Sequence, residues 1–203
     1  MNSTNHPPGI PPNHPPGIPP GRLAPLLAQF DTSVEVLQER LGGIDDHEWR
    51  WEPAANVFTV RPYGEGWRRD REDERDPSGS VRTIAWLAGH LAEMGMLRSD
   101  YTDGDHDLTP QGLCTRWPGT SAEGTAFLFD GLQRWRDTLS RMDDTDIDTV
   151  GRSQMPWGLD PHLPLLDIVW WVNRELIHHA AEIAFLRDLY AQLGRPADQE
   201  DAA

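Results

Sequence analysis

The residues best suited to chemistry are ionisable side chains that interrupt an apolar, helix-like pattern near the C-terminus. Between positions 168 and 186, the residues that recur at three- and four-residue steps are Ile168, Val172, Glu175, His179, Glu182 and Leu186. Such a stripe normally faces a core, where an unpaired carboxylate is costly. Because Glu175 and His179 are one helical turn apart, their side chains can converge on one point. The pattern therefore predicts a paired or metal-binding site on this helix.

A third candidate ligand, His90, lies in an earlier apolar segment. The stripe there reads Thr83, Leu87, His90, Met94 and Leu97. Two imidazoles and one carboxylate suit zinc, iron, nickel or cobalt, and they leave coordination positions for water or substrate. Spacing alone leaves two alternatives open. Glu175 and His179 could simply hydrogen-bond to each other, or His178 could face inward in place of His179.

The composition argues against several classes of partner. The chain of 203 residues has a formal net charge of −15, which disfavours binding to nucleic acid phosphates or to an anionic membrane. No apolar run approaches the roughly 20 residues that span a bilayer, and the N-terminus shows no apolar signal core. Cys114 is the only cysteine, so an internal disulfide is excluded. We therefore expect a cytoplasmic protein.

A proline-rich repeat marks the N-terminus. Residues 5–12 and 13–20 both read Asn-His-Pro-Pro-Gly-Ile-Pro-Pro, a composition that favours polyproline II over helix or central strand. The repeat predicts a disordered tail over residues 1–21, and the alternative is a docking peptide or a weak metal-binding segment. A short acidic tail over 196–203 is also expected to be disordered, which leaves 22–195 as the folded domain.

Four amphipathic helices are predicted within that domain. They begin at about positions 23, 80, 120 and 164, with Ser80 as the expected N-cap of the second helix and Thr120 with Glu123 as a capping box for the third. The second helix is expected to end at about Ser99. No alternating strand pattern competes with these helices, and the charged stretch 65–76, in a loop over 43–79, is expected to be solvated. The predicted fold is all-α, a four-helix bundle with long connecting loops.

Three short segments resemble the DinB/YfiT-like superfamily of four-helix-bundle metalloproteins. Residues 86–92, Trp-Leu-Ala-Gly-His-Leu-Ala, resemble the second-helix segment that supplies the family's first histidine. Residues 175–183, Glu-Leu-Ile-His-His-Ala-Ala-Glu-Ile, resemble the fourth-helix segment with the other two ligands. Residues 184–190 resemble its continuation in actinobacterial members. Many members have histidine at the position of Glu175, whereas a subgroup linked to mycothiol uses glutamate.

The resemblance implies a DinB-like bundle with a divalent metal bound by His90, Glu175 and His179. Zinc is the first choice of metal, and nickel, iron and cobalt are the alternatives. The family includes mycothiol-dependent maleylpyruvate isomerase and bacillithiol transferases, which implies mycothiol or a similar thiol as cosubstrate and a small electrophile as substrate. His178 and Glu182 are then the catalytic candidates, Glu182 as a residue that orients a ligand imidazole.

Three further residues are candidates for substrate binding. Trp86 is a candidate for the pocket wall, with ordinary core packing as the alternative. Trp157 and His162 lie in a loop that could close over the metal. Two other functions also fit these residues: a metal-dependent hydrolase with Glu182 or His178 as the base, and a non-catalytic metal-binding bundle. The resemblance is also compatible with a homodimer, and the net charge of −15 predicts no nucleic acid or membrane partner.

Overall fold

The computed structural model describes residues 21–71, 80–113, 117–152 and 162–194. The two predicted tails lie outside these residues, apart from Gly21, and so do Cys114 and Trp157. The expectations for those parts of the chain therefore stay predictions.

Four long helices dominate the described part of the chain. The helices there are α1 Leu23–Leu41, α2 Asp46–Trp49, α3 Ile84–Asp103, α4 Pro110–Leu113, α5 Ser121–Ser140 and α6 Leu165–Leu193. The helix α3 packs most extensively against α5, and α1 packs against α6. The predicted all-α four-helix bundle is therefore confirmed. None of the helices in the described ranges is both long enough and apolar enough to cross a membrane.

Side-chain caps mark the starts of two of the long helices, α5 and α3. The hydroxyl of Thr120 accepts the backbone N–H of Glu123 at 3.2 Å at the start of α5, as predicted. The start predicted for the second helix is wrong, because α3 begins at Ile84 and not after Ser80. The hydroxyl of Thr83 accepts the backbone N–H of Trp86 and so caps α3.

Short strands lie within the predicted loop over 43–79 and at the predicted start of the second helix. The strand β1 Val57–Phe58 pairs in parallel with β4 Val81–Arg82, and β2 Val60–Tyr63 pairs antiparallel with β3 Gly66–Arg69. The expectation of no strands is therefore wrong. Segments of two to four residues are too short for an alternating pattern to stand out in the sequence.

One arginine of the charged stretch is buried, which contradicts the expectation that this stretch is solvated. Arg69, at the end of β3, forms an ion pair with Glu93 of α3, and the two side chains are only 9% and 5% exposed. The guanidinium of Arg69 lies over the ring of Trp86 at 4.8 Å and over that of Trp117 at 5.2 Å. The indole N–H of Trp86 donates to the carbonyl of Asp70 at 2.8 Å. The strands thus fix one face of α3 and the position of Trp86.

Glycine permits the close approach of α3 and α5. A Cβ at Gly95 would overlap the carbonyl oxygen of Gly131, and a Cβ at Gly131 would overlap that of Ala92. The backbones therefore touch where these residues cross. Beside this contact, the predicted core residues of α5, which are Leu128, Leu132, Trp135 and Leu139, are all buried.

Candidate metal centre

The buried face of α6 differs from the predicted stripe at two positions. Leu176 and Ile183 are fully buried, whereas the neighbouring Glu175 and Glu182 have side chains that are 15% and 35% exposed. His179 is buried, as predicted. The expectation that three ionisable groups lie on the core face is therefore wrong for the two carboxylates. They flank the core, where carboxylates keep part of their hydration.

Three side chains from two helices nevertheless meet at one point. His90 of α3 and Glu175 and His179 of α6 each offer a donor atom, and these three atoms all lie within 4.8 Å of one another. The Nε2 atom of His179 is 3.3 Å from Oε2 of Glu175, and the rings of His90 and His179 meet edge to face with centroids 4.9 Å apart. Two imidazoles and a carboxylate at these separations suit a divalent cation with room for further ligands.

Glu182 sets the tautomer of His179. Nδ1 of His179 is 2.6 Å from Oε2 of Glu182. A carboxylate only accepts hydrogen bonds, so the proton is assigned to Nδ1, and this bond is the main reason why the pKa of Glu182 lies below its usual value. The Nε2 lone pair of His179 is then free to bind a cation. A carboxylate behind a ligand imidazole is a common arrangement in metal sites.

Arg174 holds Glu175 in a similar way. Its guanidinium donates to Oε1 of Glu175 at 2.7 Å, while Oε2 of the same carboxylate faces His179. The two oxygens therefore have separate environments, one facing the arginine and one facing the donor cluster. This arrangement suits Glu175 as a ligand through one oxygen.

His90 is placed by its neighbours as a neutral imidazole. Its ring stacks on Trp86 with centroids 5.3 Å apart and an interplanar angle of 10°, and within the described residues no side chain hydrogen-bonds to it. Burial lowers the pKa of His90 well below the usual value, and electrostatic interactions with His179, Arg69 and Arg82 lower it further. An unprotonated imidazole is the form that binds metals. The residues present thus fit a divalent cation.

A second cluster of donors shares His179 with the first. It combines His178, His179 and Glu182, and Nε2 of His178 is 3.8 Å from Oε1 of Glu182. All three residues belong to a single stretch of α6, and the side chain of His178 is 62% exposed. Within this cluster, Nδ1 of His179 already hydrogen-bonds to Glu182. The cluster that includes His90 is therefore the better candidate.

The donors open into a cavity of about 460 Å³. The residues that line it are Arg82, Trp86, His90, Arg174, Glu175, His178, His179 and Glu182. The predicted site residues Trp86, His178 and Glu182 therefore lie beside the donors. His162 is exposed and is not among the described residues that line this cavity, and Trp157 lies outside the described residues. Arg82 and Arg174 were missed, because neither lies on an apolar stripe.

Comparisons with known proteins agree on the fold. A family model described as the DinB superfamily matches residues 29–183, a range that includes all three donor residues. Among solved structures, the chain is similar to the crystal structure of the conserved protein of locus from Enterococcus faecalis, with 12% identity and a TM-score of 0.53. That match covers 84% of this chain and 96% of the other, and at such identity it shows the fold alone. No curated protein matches the chain.

Proposed function

The chain belongs to the DinB superfamily, and on that basis we propose that it is a divalent-metal-dependent enzyme acting on a small electrophile. In this proposal the cosubstrate is a low-molecular-weight thiol of the mycothiol type, and the reaction is S-transfer or isomerisation. The observation that supports it is the meeting of His90, Glu175 and His179, whose donor atoms lie within 4.8 Å of one another beside a cavity. Three protein ligands would leave at least one coordination position for water or substrate, as in catalytic metal sites, and all three donors line this cavity.

The residues around the donors have separate tasks in this proposal. His90, Glu175 and His179 would hold the cation, which when bound would lower the pKa of a thiol and so favour the thiolate at neutral pH. Glu182 keeps the proton of His179 on Nδ1, and Arg174 keeps Glu175 in place through Oε1. His178 lines the same cavity and is exposed, so its imidazole is the group that accepts the proton released by the thiol.

The metal content of the purified protein tests whether the chain binds a divalent cation through these residues. We expect close to one equivalent of zinc or another divalent metal per chain after dialysis, measured by inductively coupled plasma mass spectrometry. His179→Ala should lose the metal and keep the helical circular dichroism signal, whereas the neighbouring variant His178→Ala should keep both. Loss of metal only in His178→Ala would move the site to the second cluster, and a metal-free folded wild type would refute the proposal.

A thermal shift with added thiol tests whether a low-molecular-weight thiol is the cosubstrate. Metal-loaded protein should melt at a higher temperature when mycothiol is added, and the chelated protein should not. At about 100 times the dissociation constant, binding adds roughly 2.7 kcal/mol, which corresponds to a shift of about 5–10 °C for a domain of this size. Methionine, a thioether, and N-acetylserine serve as controls without a thiol. Equal shifts with these controls would refute a thiol-specific site.

The two other functions make different predictions in the same experiments. A hydrolase would keep its metal and bind no thiol, and it would release product from a small ester or amide in a reaction that requires the metal. A non-catalytic bundle would bind the metal with all coordination positions filled by protein. The cavity beside the donors favours an enzyme over that closed arrangement.

A further inference from the structure

An apolar groove adjoins the proposed metal centre and shares two residues with it. The groove has a volume of about 410 Å³, within the range of small-molecule sites. The residues that give it its apolar character are Pro53, Val81, Leu87, Phe185, Leu186 and Leu189. Arg82 and Glu182 line both the groove and the cavity of the donor cluster. A molecule in the groove can therefore reach the proposed metal centre.

The groove leaves large apolar side chains in contact with solvent. Phe185 is 64% exposed and Val81 is 38% exposed, although both belong to regular elements of the fold. Apolar surface that lines a concavity is typical of a binding site. The groove therefore has the character of a site for the apolar body of a ligand.

The groove meets the cavity of the donor cluster at a junction formed by Arg82 and Glu182. The positive charge at this junction comes from Arg82. Its guanidinium lies over the ring of Trp86 at 5.1 Å, a contact that fixes its position between the two cavities. A guanidinium has five N–H donors arranged to bind a carboxylate, so it can bind a ligand in addition to its protein contacts. The other charged group there, Glu182, already accepts the Nδ1 hydrogen of His179. The junction therefore suits an anion, even though the chain as a whole carries a net charge of −15.

We infer that the groove binds the apolar body of a small organic acid, whose carboxylate is bound by Arg82. This inference rests on the proposed function, because it assigns such an acid as the electrophilic substrate. The apolar body would fill the groove beside Phe185, and the acid group would lie beside Arg82, where the groove meets the cavity of the donor cluster. Arg82 is then a residue that determines substrate specificity.

Isothermal titration calorimetry, which measures binding affinity, tests the inference with a matched pair of probes. The probes are 4-phenylbutyrate and its amide, which have the same apolar body and differ in charge. The full chain is first treated with a chelator, so that the carboxylate has no metal to bind. We expect the acid to bind about tenfold more tightly than the amide, the difference produced by one charge-assisted hydrogen-bonded contact.

Variants test separately the binding of the carboxylate by Arg82 and the binding of the apolar body by the groove. Arg82→Gln should abolish the tenfold preference for the acid, and Arg82→Lys should retain part of it. Phe185→Ser should weaken the binding of acid and amide by similar factors. The matched controls are Arg134→Gln, an exposed arginine of α5, and Ile177→Ser, an exposed apolar residue of α6, and both should bind like the wild type.

Several results would overturn the inference. These are equal affinity for acid and amide, no binding of either probe, or a preference for the acid that survives in Arg82→Gln. If light scattering shows that Phe185→Ser converts a dimer to a monomer, the groove is an interface between copies of the chain. Failure of the proposed function is recognised separately: the metal analysis would find no metal, while Arg82-dependent binding of the acid to the chelated protein would persist.

Discussion

The ion pair between Arg69 and Glu93 gives the sharpest test of how the site is supported. Both side chains are almost fully buried, and the guanidinium of Arg69 also lies between Trp86 and Trp117. Burial raises the pKa of Glu93, and the charge of Arg69 opposes that increase. Glu93→Gln removes the counter-charge but preserves the shape of the side chain. It therefore leaves the buried cation of Arg69 with an uncharged amide in place of its carboxylate partner, beside the rings of Trp86 and Trp117.

The expected loss of stability is large. Breaking a buried pair by removing one partner typically costs about 3–5 kcal/mol. Arg69 keeps its two aromatic contacts in Glu93→Gln, each worth about 0.5–2 kcal/mol, so we expect the lower end, about 3 kcal/mol. Arg69→Met loses the pair and both aromatic contacts, and we expect about 4–5 kcal/mol at pH 7. A typical domain is stable by only about 5–15 kcal/mol.

The stability of Arg69→Met should also depend on pH. Without Arg69, the pKa of Glu93 in the folded state lies above its unfolded value, because burial disfavours the charged form. The folded state then holds a proton that the unfolded state releases. Arg69→Met should therefore be most stable below the unfolded pKa of about 4.3 and lose stability as the pH rises through the folded pKa.

Urea denaturation followed by circular dichroism measures these free energies. The control is Asp103→Asn, which breaks the exposed pair of Asp103 with Arg141 and should cost no more than about 1 kcal/mol. The double variant Arg69→Met/Glu93→Leu should recover most of the stability lost in either single variant, because it removes both charges. A loss below about 1 kcal/mol in Glu93→Gln, or strictly additive losses in the double variant, would refute the reasoning.

Three further predictions concern the fold. Gly131→Ala should destabilise the protein by about 1–3 kcal/mol, because the new methyl group would overlap the carbonyl of Ala92; an unchanged melting temperature in calorimetry would contradict this. Thr120→Ala removes the N-cap of α5 and should cost about 1 kcal/mol in urea denaturation, whereas wild-type stability would mean that this hydrogen bond contributes nothing. Asp46 accepts hydrogen bonds from the N–H and hydroxyl of Ser121, and these lower its pKa. The ionised carboxylate of Asp46 therefore stabilises the folded state. This contribution is present above the unfolded pKa of Asp46 and is lost as the pH falls through its folded pKa. Asp46→Asn should therefore flatten the fall in melting temperature below about pH 4, and an unchanged slope would be the contrary result.

The long helices could be predicted because their signals are local. The apolar residues of α5 repeat with the helical period and are buried, and Thr120 caps this helix through a residue three positions away. The strands β1 and β4 could not be predicted in this way. Each has two residues, and each exists because of a partner far away in the sequence. The start of α3 was misplaced for the same reason, since β4 occupies Val81 and Arg82.

The site was predictable in part. Helical spacing brings Glu175 and His179 together, and the apolar stripe that contains His90 indicated the third donor. The resemblance to the DinB superfamily is confirmed by the family model. The roles of these residues as metal ligands stay a prediction. The burial of Glu93 could not be predicted, because it lies off the stripe through His90 and is covered by strands that gave no signal. The place of Arg82 beside the donors likewise depends on β4.

Crystallography with anomalous scattering can locate a bound metal and identify the side chains around it. Crystals of the full chain grown with zinc, and measured on both sides of the zinc absorption edge, should show one strong anomalous peak. We expect this peak about 2.0–2.2 Å from Nε2 of His179, from an oxygen of Glu175 and from a ring nitrogen of His90. A peak bound instead by His178 and Glu182, or no peak among these side chains, would contradict the account.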